Sequence, residues 1–214
     1  MKKLTIAFLT FLSTQILFCQ TDQYLGLNLN QLPATSLDLN YQIDLLPFIS
    51  FATEAGFTLN YQKNFDLFGY LLSSHCTCSE QYDIDITNGG HIKIGTFLNL
   101  RKTNKKSSYF NIGLFFNQAI VHQKGKYNFI HPNYVENGDN NCEQTVFVSG
   151  FSSYIGYNLK IYKKLSTNIG FQVSFTSDKP REIFGYSKYI PGMGLNDYDS
   201  IFPMLIINLS YKIK

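Results

Sequence analysis

Apolar and polar residues alternate with a period of two along most of this chain, and that alternation restricts it to β-structure. Ser36 to Asp44 (SLDLNYQID) sets Leu37, Leu39, Tyr41 and Ile43 against Asp38, Asn40, Gln42 and Asp44. The pattern recurs in Tyr24 to Gln31, Phe48 to Tyr61, His91 to Arg101, Tyr109 to His122, Thr145 to Tyr162, Ser166 to Thr176 and Phe202 to Ile213. No helical period survives over a comparable length, so the expected fold is all-β with eight strands. Each strand has two unlike faces, and the question is which one the interior takes. If the apolar face is outermost, it is dissolved in something other than water.

The connections answer in favour of a membrane. The links after the second, fourth and sixth strands are short: Leu45-Leu46-Pro47, Lys102 to Ser108 and Lys163-Lys164-Leu165. Those after the third, fifth and seventh are long: Gln62 to Gly90, Gln123 to Gln144 and Ser177 to Ile201. Only the first of that series, around Leu32-Pro33-Ala34, is brief. Short turns on one rim and long loops on the other suit an up-and-down transmembrane barrel, with the short turns and both termini in the periplasm. Gly26, Gly56, Gly95, Gly113, Gly150, Gly156 and Gly170 share a face with Asn, Ser and charged residues. Small and polar residues of that kind fit a narrow eight-strand interior. The other face is Leu, Ile, Val and Phe, with Tyr24, Tyr41, Tyr61, Tyr109, Tyr157 and Tyr211 near strand ends as an expected aromatic girdle.

The N-terminus is consistent with export. Met1-Lys2-Lys3 precedes the apolar run Leu4 to Phe18, which falls short of the roughly 20 residues of a spanning helix and matches a secretory signal. The expected division is a signal peptide over residues 1–20, cut beside Cys19 or Gln20, and a barrel domain over 21–214. Aromatic residues make up 16% of the chain, with 19 Phe, 15 Tyr and no Trp, while charged residues are only 15%, against roughly 25% in soluble domains. The formal charge of +3 falls to about +1 without Lys2 and Lys3, which gives no electrostatic basis for nucleic-acid binding.

With its final strand Pro203 to Lys214 (PMLIINLSYKIK), the chain resembles the small outer-membrane β-barrel proteins of Gram-negative bacteria. The resemblance is architectural and covers everything after the signal. It implies outer-membrane lipid and the barrel-insertion machinery as partners, and loops that face outward to an extracellular ligand. The family's last strand usually ends in an aromatic residue, whereas here the nearest aromatic to the Ile213-Lys214 end is Tyr211.

A barrel is a scaffold, so function must be argued from a site. Inward charges are expected at Asp38, Asp44, Glu54, Lys93, Arg101, Lys160 and Lys212, and charges of both signs in a lumen should pair. Glu54 would meet Lys93 or Arg101, and Asp44 would meet Lys212 or Lys160. That favours a closed lumen over a narrow pore. His75, His91, His122 and His131 are the candidates for a lipid-modifying enzyme, but no Ser-His pair stands as the outer-membrane deacylases arrange it, so no catalytic residue is assigned. His75-Cys76-Thr77-Cys78 offers soft ligands at a spacing that favours disulfide chemistry over zinc; no metal or cofactor is expected. Past the signal remain Cys76, Cys78 and Cys142, an odd number, and a Cys78 to Cys142 bridge is favoured narrowly over Cys76 to Cys142. Either would close about 65 residues and stabilise the fold by roughly 4 kcal/mol in the chain-entropy model. The reading is a non-enzymatic, closed outer-membrane barrel. Its alternatives are a lipid-modifying enzyme, a narrow pore, or a secreted lipocalin-like barrel with its faces reversed.

Overall fold

The computed structural model describes residues 22–62, 65–66, 69, 71, 82–100, 108–127, 141–177, 182–183, 188–196 and 201–214. Among them the strands are β1 (Gln23–Asn28), β2 (Ser36–Leu46), β3 (Ile49–Thr58), β4 (Tyr82–Leu100), β5 (Tyr109–Tyr127), β6 (Asn141–Tyr162), β7 (Leu165–Thr176), β8 (Lys188–Ile190), β9 (Gly194–Asn196) and β10 (Ile201–Lys212). All but β8 and β9 close a barrel in the order β1-β10-β7-β6-β5-β4-β3-β2, each neighbouring pair antiparallel. Closure removes the sheet edges that an open sheet would expose.

The strand faces are sorted as the alternation predicts. On β5, Phe110, Ile112, Leu114, Phe116 and Ile120 point outward, and Leu114 keeps 67% of its surface exposed, whereas the intervening Asn111 and Asn117 are buried. On β6, Phe147, Phe151, Ile155 and Leu159 are exposed, while Ser152 and Tyr154 are buried. The outer apolar band on β5 runs from Phe110 to Ile120, close to the 9 to 11 residues a tilted transmembrane strand requires. Beyond Ile120 the same face changes to His122, Lys124 and Lys126. A water-soluble lipocalin-like barrel would show the reverse arrangement.

Three strands are much taller than expected. The fourth begins at Tyr82, not His91, and the fifth and sixth run on to Tyr127 and from Asn141. The break in period at the Ile84/Ile86 bulge and the Gly89-Gly90 pair hide the extra length of β4 from a pattern search. The extension stands on the long-loop rim, where β4, β5 and β6 form a wall above their neighbours.

The girdle assignment needs correction too. Tyr24 shares the inward register of Gly26 and lines the lumen. Tyr109 is buried, on the same face as Asn111 and Gly113. Tyr61 lies past the end of β3 and stacks on Tyr189, ring centroids 3.6 Å apart. Period two by itself places Tyr24 and Tyr109 inside; position near a strand end is the weaker guide. Tyr41, Tyr157 and Tyr211 stand on the outer face.

Between β7 and β10 the chain turns back over the lumen as the β8-β9 hairpin. Its turn is Ile190-Pro191-Gly192-Met193, closed by a hydrogen bond from Met193 N to Ile190 O of 2.9 Å. Pro presets the second position, and Gly192 takes a φ of +71°, the left-handed value that makes glycine the natural third residue of a type II turn. Ile190 and Met193 are wholly buried with Ala119 and Val121 of β5, Val146 and Val148 of β6, Ile183 and Phe202. An apolar seal therefore fills the long-loop half of a lumen expected to be only small and polar. Deeper in, Ala52, Phe97, Phe115, Tyr154, Met204 and Ile206 form a second buried cluster.

Candidate functional site: the buried charge cluster under the hairpin

Register brings the charged residues together. On β2, β3 and β4 the inward positions include Asp38, Glu54, His91 and Lys93; Glu54 stands opposite Lys93, and Gly56 stands opposite both Asp38 and His91. Lys93 Nζ lies 2.6 Å from Glu54 Oε1 and donates to Gln172 Oε1 at 3.2 Å. His91 Nε2 is 3.1 Å from the same Glu54 oxygen, and His91 Nδ1 is 4.0 Å from Asp38 Oδ1. Asp38 also accepts hydrogen bonds from Ser36 Oγ at 2.9 Å and Asn28 Nδ2 at 3.3 Å. All four titratable side chains are buried. Ions taken out of water are tolerated only when paired and hydrogen-bonded, and removing one partner from such a set typically costs about 3–5 kcal/mol.

The cluster is tied to the hairpin. Gly192 lies against the His91 ring, so closely that a Cβ there would meet its Cγ and Cδ2. Gln172 Nε2 donates to Gly192 O at 3.0 Å, and Ser174 Oγ donates to Met193 O at 3.2 Å. The Tyr189 hydroxyl meets Thr58 Oγ1 at 3.1 Å, which continues to Ser36 and so to Asp38. Above it, Tyr61 donates to Asp66 Oδ2 at 2.7 Å. Burial and the Asp66 carboxylate hold the Tyr61 hydroxyl well above the usual phenol range, so it remains a donor.

Toward the short turns the lumen changes character. Asn40, Gln42, Asn158, Ser166, Asn168, Asn208 and Ser210, together with Ala52, Phe97 and Phe115, line a chamber that reaches Glu54. Asn40 Nδ2, Ser166 Oγ and Asn208 Oδ1 are buried there without a protein partner. Polar atoms of this kind are ordinarily satisfied by internal water.

Of the expected lumen charges, Asp38, Glu54 and Lys93 meet. Asp44 and Lys212 lie toward the short-turn rim: Asp44 accepts from Ser50 Oγ at 2.5 Å, and Lys212 forms its ion pair with Asp22 at 2.7 Å. Lys160 is exposed near the end of β6. Arg101 lies outside the described residues, and the partners of Glu54 on the neighbouring strand are Lys93 and His91. His91 is the cluster member that sequence reasoning places among the catalytic candidates, although period two puts it on the face of Lys93.

His122 belongs to a different setting. Its Nδ1 is 3.0 Å from Thr145 Oγ1 and its Nε2 is 3.6 Å from Glu143, a solvated cross-strand group on the outer face of the tall wall. Cys142 of β6, opposite Gly125 of β5, is half-buried and has no disulfide partner among the described residues. Its expected partners Cys76 and Cys78, like His75, His131 and the signal segment, lie outside the described residues.

Strand order, outward apolar band and buried polar lumen define the chain as an eight-stranded antiparallel transmembrane β-barrel, the architecture of the small outer-membrane β-barrel proteins. No protein-family model matches the sequence, and no curated protein does. Among solved structures it is similar to Neisserial surface protein A, at 9% identity over 90% of this chain and 94% of that one, with a TM-score of 0.41. It is also similar to a major outer membrane protein from Thermus thermophilus, at 10% identity over 90% and 98%, with a TM-score of 0.46. At those values neither lends this chain a role, and the functional reading rests on its own surface and lumen.

Proposed function

We propose that this chain is a closed, non-enzymatic outer-membrane barrel, exported by its N-terminal segment, with the short turns in the periplasm and the long-loop rim outside as a binding or envelope-stabilising surface. The observation that carries the reading is the hairpin seated inside the ring: Ile190 and Met193 are fully buried against β5 and β6, and Gly192 and Met193 are hydrogen-bonded to β7. A conduction path through that end would have to break an apolar seal and a set of buried hydrogen bonds together. The outer band, bounded by His122 and Lys124 above Ile120, supports spanning a bilayer. The tall wall of β4, β5 and β6 supports a role in contact outside it, because its strands continue past the apolar band that ends at Ile120.

Planar-bilayer recording tests closure. The intact protein is expected to give no steady conductance, and deletion of residues 182–196 is expected to open one. A large, steady conductance from the intact chain would replace this reading with the pore.

A further inference from the structure

We propose that Asp38, Glu54 and His91 form a binding site for one divalent transition-metal ion, reached through the chamber on the short-turn side. This goes beyond the scaffold role and does not depend on it.

The first support is the donor set. Two carboxylates and an imidazole, all buried, offer ligand atoms within 4.8 Å of one another. Mixed nitrogen and oxygen ligands suit zinc-like ions, whereas magnesium and calcium prefer oxygen alone. The second support is an orphan. His91 Nδ1 is buried without a hydrogen-bond partner, in a side chain that is 1% exposed, and it points at Asp38 Oδ1 from 4.0 Å. That distance is too long for a hydrogen bond; an ion bonded to both at about 2.0–2.2 Å would draw the two together.

Space and access agree. A Cβ at Gly56 would collide with Asp38 Oδ1 and His91 Cε1, so glycine at that position keeps the cradle open between two of the ligands. Glu54 forms part of the chamber wall, so an ion meets it from the end that the hairpin does not seal, past the Asn and Ser side chains that share the wall with Phe97 and Phe115. Lys93 is the built-in competitor: its ammonium holds Glu54 Oε1 at 2.6 Å. Metal binding requires Lys93 to release Glu54 and turn to Gln172 Oε1, already 3.2 Å away.

The test uses the full chain refolded in detergent, with Cys19, Cys76, Cys78 and Cys142 changed to Ser to remove thiol ligands, and Co2+ as a spectroscopic probe. The expected result is one Co2+ per chain with visible ligand-field bands, displaced by Zn2+ and not by Mg2+. His91→Gln and Asp38→Asn should each weaken binding by more than about 100-fold, beyond the cost of losing an outer-shell partner, with folding checked by the heat-sensitive gel shift. Gly56→Ala should abolish it. Lys93→Met should tighten it by about tenfold, an outcome that a purely structural ion cluster does not produce. Should the ligand variants fail to fold, Lys93→Met and the shift of the His91 ring 15N resonances on adding Zn2+ decide. Absence of Co2+ uptake, uptake unchanged in the folded ligand variants, weaker binding in Lys93→Met, or an unmoved His91 resonance would each overturn the site.

Discussion

The two halves of the lumen solve the same packing problem differently. Toward the long loops, β5 and β6 turn Val121, Val146 and Val148 inward, and the hairpin brings its own Ile190 and Met193 to meet them. Toward the short turns, Asn, Ser, Gln and Tyr side chains share the lumen with Phe97, Phe115 and Met204, and several of the polar atoms have no protein partner. One half is sealed by a folded loop on an apolar cluster; the other mixes aromatic side chains with polar groups suited to water. Glu54, Lys93, His91 and Asp38 lie at the boundary, where each charge still finds a partner or a hydrogen bond in protein. An eight-stranded ring is narrow enough for side chains to fill, so closure in this chain has to be achieved only once, at one end.

The contrast predicts unequal responses to similar changes. Val148→Asp places an unpaired carboxylate in the apolar cluster of the sealed half and should destabilise the barrel by about 3–5 kcal/mol, read by urea unfolding in detergent. Equal tolerance of Val148→Asp and of Asn208→Asp in the chamber would erase the distinction. Gln172→Ala comes next: it removes the bonds to Lys93 Nζ and Gly192 O, at a cost of about 1–3 kcal/mol. Faster hydrogen exchange at the Met193 amide would show that the hairpin is what loosens. Asn208→Ala should be the mildest, below about 1 kcal/mol, because water takes over the space.

Much of this is legible in sequence because a period of two carries most of the information in a barrel. It places Asn40, Gly56, Gly113 and Gln172 inside and Leu39, Leu114 and Phe171 outside, and loop length by parity assigns the rims. The same rule applied to His91 and Tyr109 puts both in the lumen. What stays hidden has physical reasons. Strands of three residues, as in β8 and β9, are too short for alternation to register, so the hairpin reads as loop despite its Pro191-Gly192 turn. The apolar inward residues Val121, Val146 and Val148 look like lipid-facing ones until the loop that covers them is known. The partners of Glu54 depend on register across β3 and β4, where a slip of one pair would present a different neighbour.

Insertion into lipid tests the central claim most directly. The full chain, diluted from urea into phospholipid vesicles, should fold into a form whose gel mobility changes on boiling. Leu114→Arg, at the middle of the outer band, should lose about 2–4 kcal/mol of stability there. A chain that stays monodisperse in buffer without detergent and accepts Leu114→Arg at no cost would contradict a membrane-spanning barrel.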